Sequence, residues 1–334
     1  MITFEGKRIL LTGGAGFIGS WIAQKLCQEG AFVRVYDNFS SGTKDNLKHL
    51  DVEIIEGDIL DKKGLKEAMM DCDLVSHQAA QLEITHCIKN PEKDLQVNAI
   101  GTLCVLQVAQ EVDSIQKVIM ASSACVYGQT NHKQSEESHP TNPNWAYGVS
   151  KLAAEKYCHI FSQTTKIPTV CLRYAIVYGP REWYGRVLTI FLKRALSGLQ
   201  PVIFSDGFVK RDFVFVEDVA RFHNLSISKD TGLHKVFNVG TGVATSIRDL
   251  AYLVIDIFGL KNIPVFEGIA EGECSELVEE NRMRLPQELK QIILSPTMGN
   301  KILGFCPKTS LSEGLLLELA WLQQNRDRWE KMSY

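Results

Sequence analysis

The chain has 334 residues, of which 45% are apolar and 22% are charged, and its formal net charge is −3. This length and composition are typical of one large globular α/β domain with a smaller lobe, or of two modest domains. The slightly acidic balance gives no reason to expect nucleic acid or a membrane surface as a partner.

Nine cysteines are scattered along the chain without a CxxC pair, so the sequence predicts neither a zinc site nor a disulfide framework. Charged residues and glycines interrupt the first 20 residues, which argues against a signal peptide. No apolar run approaches the roughly 18 residues that would span a bilayer. We therefore expect a soluble, cytoplasmic protein with reduced thiols and no metal site.

The first half of the chain alternates short β-rich runs with helical patterns. The predicted strands are Arg8–Leu11, Phe32–Tyr36, Val52–Ile55, Leu74–Ser76, Lys117–Met120 and Thr169–Tyr174. The predicted helices are Phe17–Glu29, Asn98–Val112 and Ala146–Ser162. This repeated alternation predicts an α/β fold with a Rossmann-type, doubly wound parallel sheet.

Beyond residue 174 the pattern is less regular. Short β-rich pieces are predicted at Val202–Phe204 and Phe213–Val216, and the stretch Ala270–Glu288 is charged and turn-like. An amphipathic helix is predicted at Leu311–Gln324, with Ser310 or Ser312 as its N-cap.

Three glycines, Gly13, Gly16 and Gly19, follow the first strand and begin the first helix. Their spacing permits a tight turn and a close approach of the backbone to a pyrophosphate, which the helix N-terminus also attracts. Asp37 ends the second strand about 20 residues further on, where a carboxylate can bind the ribose hydroxyls of an adenosine. Because a carboxylate there would repel a 2′-phosphate, the sequence predicts NAD rather than NADP as the cofactor.

Tyr147 and Lys151 are four residues apart on a predicted helix and therefore share a face. An ammonium beside a phenol favours the phenolate, which can accept a proton from a sugar hydroxyl. Ser123 follows the fifth strand and is expected in the same cleft, since ligands bind at the carboxyl ends of parallel strands. Further along the chain, Arg211 is suited to a diphosphate.

These motifs together resemble the extended short-chain dehydrogenase/reductase family, and within it the NAD-dependent nucleotide-sugar epimerases and dehydratases. The resemblance covers nearly the whole chain. It rests on TGGAGFIGS (12–20), YDN (36–38), GDI (57–59), HQAAQ (77–81), NAIGT (98–102), SSACVYG (122–128), YGVSK (147–151), LRYAIVYGP (172–180), RDFVFVEDV (211–219) and NVGTG (238–242).

The resemblance implies roles for individual residues. Ser123, Tyr147 and Lys151 match the catalytic triad. The NAD-binding set comprises Gly13, Gly16, Phe17, Ile18, Gly19, Asp37, Asn38, Ser41, Gly42, Asp58, Ile59, Gln78, Ala79, Ala80, Asn98, Tyr147, Lys151 and Tyr174. The residues assigned to the substrate are Glu83, Phe204, Arg211 and Arg284.

The resemblance also implies an organisation of the chain. Residues 1–172 and about 207–240 would form the NAD-binding domain, and about 173–206 and 241–334 a lobe that binds a nucleotide-diphosphate sugar of the UDP or GDP type. The family typically dimerises through two helices, which here are Asn98–Val112 and Ala146–Ser162, so a homodimer is expected.

The residues Ala124 and Cys125 depart from two branches of the family. Dehydratases have Asp-Glu in this place, and decarboxylases usually keep a glutamate nearby. Cys125 instead resembles the cysteine of GDP-hexose 3,5-epimerases, which moves a proton at carbon. Cys125 is alternatively a small buried apolar residue, as free cysteines often are.

Two further departures affect the substrate side. Ile176 replaces the asparagine that the family usually has, and Glu83 stands where many relatives have a small residue. Glu83 is expected either to bind a sugar group or to face solvent. The sequence thus favours an NDP-hexose 4-epimerase that works through a 4-keto intermediate. A 3,5-epimerase, an NDP-sugar dehydrogenase, reductase or dehydratase, and a non-catalytic NAD-binding regulator remain open.

Overall fold

The computed structural model describes residues 2–182, 186–261, 263–278 and 282–330. Its strands are β1 (Arg8–Thr12), β2 (Phe32–Asp37), β3 (Val52–Glu56), β4 (Leu74–His77), β5 (Lys117–Ser123), β6 (Thr169–Tyr174), β7 (Ile176–Tyr178), β8 (Val202–Phe204), β9 (Lys210–Arg211), β10 (Phe213–Phe215), β11 (His234–Val239), β12 (Thr245–Ser246), β13 (Val265–Glu267) and β14 (Gln291–Ile292).

The helices alternate with these strands through most of the chain. They are α1 (Phe17–Gln28), α2 (Lys62–Met69), α3 (Ile84–Lys89), α4 (Pro91–Asp94), α5 (Gly101–Gln110), α6 (Ala146–Thr165), α7 (Val187–Leu196), α8 (Val216–Ser228), α9 (Ile247–Phe258), α10 (Thr297–Leu303), α11 (Leu311–Gln324) and α12 (Arg326–Trp329). A π-helix (Leu95–Ile100) joins α4 to α5.

Seven strands form one sheet in the order β11-β6-β5-β4-β1-β2-β3, and all neighbours are parallel. Every residue of the central strands β5 and β6 is buried, as expected for strands covered on both faces. One apolar core lies between the sheet and helices α1 and α8, and a second between the sheet and α2, α5 and α6. The predicted doubly wound α/β fold is confirmed.

The strand order reverses between β1 and β4. The strands β2 and β3 are added on one side of β1, and the later strands β4, β5, β6 and β11 are added on the other. Such a reversal opens a crevice at the carboxyl ends of the strands, where ligands bind in sheets of this type. The glycine turn after β1 and the residues that follow β4 and β5 therefore share one edge of the sheet.

The smaller lobe packs helices α7, α9 and α11 around a third apolar core. The predicted helix Leu311–Gln324 is confirmed, and Ser310 rather than Ser312 is its N-cap, in a reciprocal capping box with Glu313. The remaining strands have two or three residues each and form three small sheets, in the orders β10-β7, β12-β9-β14 and β13-β8.

Two predicted boundaries were wrong. The helix predicted at Asn98–Val112 begins earlier, with α4 and the π-helix, and the wider π-turn carries Asn98. Val216, predicted to end a strand, begins α8, whose first turn contains Glu217 and Asp218. Acidic residues there interact favourably with the positive end of the helix dipole.

Among the described residues, no helix combines the length and the apolar composition that crossing a bilayer would require. All nine cysteines are free thiols.

Candidate active site

A cavity of about 670 Å³ lies at the carboxyl edge of the sheet, between the sheet domain and the smaller lobe. Its walls contain the glycine turn, the ends of β2, β4 and β5, the first turns of α6, and side chains from the smaller lobe. This size suits a ligand larger than a single small metabolite.

The glycine turn is packed too tightly to accept side chains at two positions. Gly13 has a φ of +69°, and a Cβ there would lie 2.5 Å from the backbone nitrogen of Ala79. A Cβ on Gly19 would lie 2.1 Å from the carbonyl oxygen of Gly13. The backbone therefore needs glycine to let the first turn of α1 approach both the strand and the cavity.

Asp37 lines the cavity beside this turn although its side chain is buried. Its carboxylate accepts hydrogen bonds from the backbone N–H of Ala15 at 2.9 Å and of Phe39 at 2.8 Å. Burial raises the pKa of Asp37, and these two bonds oppose that shift. Nearby, Asn38 donates to Asp58 at 3.0 Å, which holds both side chains at the cavity wall.

Tyr147 and Lys151 lie in the first two turns of α6, and both line the cavity. Lys151 Nζ is 5.9 Å from the centre of the Tyr147 ring and donates to the carbonyl oxygen of Ala121 at 2.9 Å. Burial lowers the pKa of Lys151 to about 8, while the charge of Asp94 opposes this shift. Because pH 7 lies below that value, the amine is mostly protonated and presents a positive charge to the phenol.

Ser123 ends β5 in an extended conformation and lines the same cavity. Its Oγ accepts a hydrogen bond from the backbone N–H of Cys125 at 3.2 Å, which fixes the hydroxyl at the strand end. Cys125 lines the cavity with 7% of its surface exposed. Burial raises the pKa of the Cys125 thiol, so the thiol stays protonated at neutral pH.

The end of the cavity in the smaller lobe is rich in cations. Arg211 and Arg284 both contact the carboxylate of Glu288, at 3.7 Å and 3.2 Å respectively. Arg211 is also held by the carbonyl oxygen of Leu289 at 2.9 Å. Phe204 lines the same end at the carboxyl terminus of β8. One aromatic ring and two fixed guanidinium groups therefore converge here.

Glu83 lines the cavity instead of facing bulk solvent. Its carboxylate lies 3.6 Å from Arg282 Nη1 and accepts a hydrogen bond from Thr85. Glu83 belongs to the loop before α3 and Arg282 to the smaller lobe, so their contact connects the two sides of the cleft.

Two residues of the predicted NAD-binding set, Gly42 and Asn98, are not among the residues that line the cavity. Gly42 packs against Ala15, where a Cβ would lie 2.8 Å from a backbone atom. Asn98 is fully buried, and its side-chain amide exchanges two hydrogen bonds of 3.0 Å with the backbone of Gln81. Asn98 thereby supports Gln81, which lines the cavity, and the members of the set other than Gly42 and Asn98 line it themselves.

Arg186 and Arg282 line the cavity but were not identified from the sequence. Arg186 donates to the carbonyl oxygen of Val177 at 3.0 Å and lies 3.5 Å from the Glu182 carboxylate. Neither arginine lies in a periodic segment, so only the tertiary fold brings them to the site.

Comparisons with known proteins agree with this geometry. Residues 9–240 match the family model described as the NAD dependent epimerase/dehydratase family. A putative UDP-glucose 4-epimerase from Methanocaldococcus jannaschii is 33% identical over 95% of this chain and 99% of its own length.

Two solved structures are similar over nearly their whole length. A UDP-glucose 4-epimerase from Thermotoga maritima with UDP-glucose has a TM-score of 0.85 and 33% identity, and covers 96% of this chain and 99% of that one. A UDP-glucose 4-epimerase from Thermus thermophilus in complex with NAD has a TM-score of 0.83 and 32% identity, over 95% and 99%. This chain is therefore an enzyme of the NAD-dependent epimerase/dehydratase family, with NAD as its cofactor.

Proposed function

We propose that this protein is a nucleotide-sugar 4-epimerase that inverts C4 of a UDP-hexose. The observation that carries the proposal is one cavity with a glycine turn at one end, cationic and aromatic side chains at the other, and Ser123, Tyr147 and Lys151 between them. The names of the relatives support UDP as the nucleotide.

The residues around the glycine turn fit a dinucleotide. In this proposal the backbone of Gly13, Gly16 and Gly19 binds the pyrophosphate at the N-terminus of α1, where free N–H groups favour negative charge. Asp37 accepts from the ribose hydroxyls, and Asp58 and Ile59 border the adenine. When bound, NAD supplies the acceptor and then the donor of the hydride at C4.

The chain itself moves the proton. Tyr147 accepts the proton of the C4 hydroxyl, because the neighbouring Lys151 ammonium stabilises the phenolate. Ser123 positions the same oxygen, since its own Oγ is fixed by the backbone N–H of Cys125. For inversion, the 4-keto sugar, which is planar at C4, turns over. Its C4 oxygen then takes the proton back from Tyr147 as the hydride returns to the other face of C4.

The nucleotide must stay anchored while the sugar turns. Arg211 and Arg284 lie where guanidinium groups can bind a diphosphate, and Phe204 offers an apolar surface for the base. Substrate phosphates would compete with Glu288 for both arginines. In this proposal Glu83, whose carboxylate contacts Arg282, accepts hydrogen bonds from sugar hydroxyls.

Cys125 leads to a second candidate, 3,5-epimerisation of a keto-sugar. The buried thiol with its raised pKa is poorly suited to removing a proton from carbon, which favours 4-epimerisation. Dehydration and decarboxylation are less favoured because Ala124 and Cys125 provide no carboxyl group. If Cys125 is only a packing residue, Cys125→Ala retains product formation, whereas loss of product would support 3,5-epimerisation.

We also propose that the protein is a homodimer. Helix α6 presents Val149, Tyr157 and Ile160 to solvent, and Leu95 and Ile100 of the adjoining π-helix are exposed as well. An apolar face of this kind on two neighbouring helices fits a second copy of the same chain.

The proposed function is tested by incubating the protein with NAD and a panel of UDP-, GDP-, CDP- and dTDP-hexoses in D₂O. Proton NMR and mass spectrometry identify the product. A C4 isomer without deuterium on carbon is expected, because the hydride returns directly. Deuterium on carbon would instead support 3,5-epimerisation, and stoichiometric NADH would indicate a net dehydrogenase or reductase. Binding of NAD with no change in any sugar would support the remaining alternative, a non-catalytic NAD-binding regulator.

The role of Tyr147 has its own test. Tyr147→Phe removes only the hydroxyl, so NAD binding should remain while turnover falls by about 10²-fold or more. Substantial remaining epimerisation by a variant that retains NAD would contradict the assignment of Tyr147 as the proton acceptor.

A further inference from the structure

Lys151 and Asp94 are buried near the active site, and neither forms an ion pair with a described residue. Lys151 is 2% exposed and Asp94 is 1% exposed. Within the described part of the chain, neither has a partner of opposite charge within 4.0 Å. A buried charge costs free energy unless another charge or hydrogen bonds compensate it.

Asp94 occupies a fixed position at the junction of α4 and the π-helix. Its Oδ1 accepts a hydrogen bond from Asn98 Nδ2 at 2.7 Å. The same amide group donates to the carbonyl oxygen of Gln81 at 3.0 Å, and Gln81 lines the cavity. The π-turn, a local geometry frequent at functional sites, thus connects Asp94 to the cavity wall.

The segment that contains Asp94 packs directly on the helix that contains Lys151. Both α4 and the π-helix contact α6, and α3 packs beside them. The charge of Asp94 favours the protonated amine of Lys151 and so opposes the effect of burial on its pKa.

We propose that Asp94 is a positioning residue whose carboxylate, fixed by Asn98, supplies the counter-charge that keeps the buried Lys151 an ammonium. This inference rests on the proposed function in one respect, namely that Lys151 acts on Tyr147. Asp94 does not line the cavity and is not assigned any contact with substrate or cofactor.

The other titratable groups around Lys151 do not provide this charge. His77 is buried between Thr12 and Thr102, and burial lowers its pKa to about 3, so the ring is neutral. Burial raises the pKa of the Cys87 thiol. Among the described residues, the buried thiols of Cys158 and Cys171 also interact electrostatically with Lys151. A hydrogen bond with Cys158, together with burial, raises the pKa of Cys171. Tyr147 completes this environment.

The variant Asp94→Asn removes the charge while keeping an oxygen that can accept from Asn98. Glu92→Gln is the matched control, because Glu92 is an exposed acid on the same helix. The NAD-loaded protein is labelled with ¹³C at lysine Cε, and the signal of Lys151 is identified by its loss in Lys151→Met. The pH midpoint of that signal measures the protonation of Lys151 without requiring turnover.

We expect the midpoint in Asp94→Asn to fall by about one unit or more, and the midpoint in Glu92→Gln to stay unchanged. The alkaline limb of the pH profile of kcat should move to lower pH by a similar amount, because Lys151 then loses its proton earlier. An unchanged midpoint in Asp94→Asn overturns the inference, even if its kcat falls.

Failure of the proposed function gives a different result. A wild-type enzyme that epimerises no sugar, but in which Asp94→Asn shifts the Lys151 midpoint, refutes the function and retains the inference. If Asp94→Asn alone does not fold, the double variant Asp94→Asn/Lys151→Met removes both charges and should recover most of the wild-type Tm. A double variant that is equally unstable would overturn the inference.

Discussion

Glu155 and Arg173 form a buried ion pair next to the strand end that contains Ser123. The Glu155 carboxylate accepts from Arg173 Nη2 at 2.7 Å and Nε at 2.9 Å, and from Ser122 Oγ. Because both side chains are almost fully buried, removing one of them leaves an uncompensated charge. We predict that Glu155→Ala lowers the free energy of unfolding by about 3–5 kcal/mol, measured by urea denaturation.

The double variant Glu155→Leu/Arg173→Met is the control for this prediction. It removes both charges and replaces them with apolar side chains of similar size, so it should lose less stability than Glu155→Ala. A larger loss in the double variant would contradict the explanation by an unpaired charge.

Glu182 and Glu318 are fully buried, and burial together with the charge of Glu182 raises the pKa of Glu318. Burial raises the pKa of Glu182 to about 7, with Arg186 opposing the shift. A raised carboxyl pKa in the folded state means that stability is lost as the pH rises from about 4.5 towards 7. Glu182→Gln should therefore increase the free energy of unfolding by about 1–3 kcal/mol at pH 8, and by much less at pH 4.5.

Thermal denaturation at these two pH values tests the Glu182 prediction. The gain in Tm must depend on pH, because glutamine cannot ionise. An equal gain in Tm at pH 4.5 and pH 8 would contradict the prediction, because it would mean that side-chain packing at position 182, and not the buried charge, limits stability.

At the scale of elements, the glycine turn between β1 and α1 permits a direct test of cofactor binding. A Cβ on Gly19 would collide with the Gly13 carbonyl oxygen, whereas a Cβ on Gly268 would meet no atom within 4 Å. Gly19→Ala should therefore distort the turn and weaken NAD binding by at least about tenfold, or about 1.4 kcal/mol. Isothermal titration of the NAD-free protein measures this, with Gly268→Ala as the control.

A Gly19→Ala protein that bound NAD as tightly as the Gly268→Ala control would show that the turn can relax. The two variants make the same chemical change, and neither position has a positive φ. A difference between them therefore reports local packing at the turn.

The central elements could be predicted because their signals are local. Strands such as Lys117–Ser123 contain a continuous apolar run, here Val118–Ala121, and the glycine spacing precedes a helical pattern. The lobe was harder to predict because β9 and β12 have two residues each, which is too short to show the alternation of apolar and polar residues that indicates a strand. Their position depends on Asp212, which accepts backbone hydrogen bonds from Thr241, Gly242 and Leu294.

The same distinction applies to the site. Ser123, Tyr147 and Lys151 are identifiable because their spacing follows from a strand end and one helix. Asp94 gave no signal, since its relation to Lys151 exists only when α4 and α6 pack together. A charged residue in a short helix ordinarily suggests an exposed surface, and only the fold shows that Asp94 is buried.

At the scale of the whole molecule, one chain supplies every wall of the cavity that the structure describes. The exposed apolar side chains on α6 lie on the outer surface of the sheet domain, and Ile160 is 56% exposed. Association of two copies would therefore bury these side chains without adding a residue to the cavity. Dimerisation and catalysis should be separable by mutation.

We predict that Ile160→Glu converts the proposed homodimer into a monomer. In a twofold interface each substitution occurs twice, so the variant would bury two carboxylates against apolar surface. Size-exclusion chromatography with light scattering should give the mass of two chains for the wild type and of one chain for the variant. Phe208→Glu, at a 59% exposed apolar residue of the smaller lobe, should leave the mass unchanged. Since Ile160 does not line the cavity, the monomer should keep kcat within about threefold; a variant that remained a dimer would place the interface elsewhere.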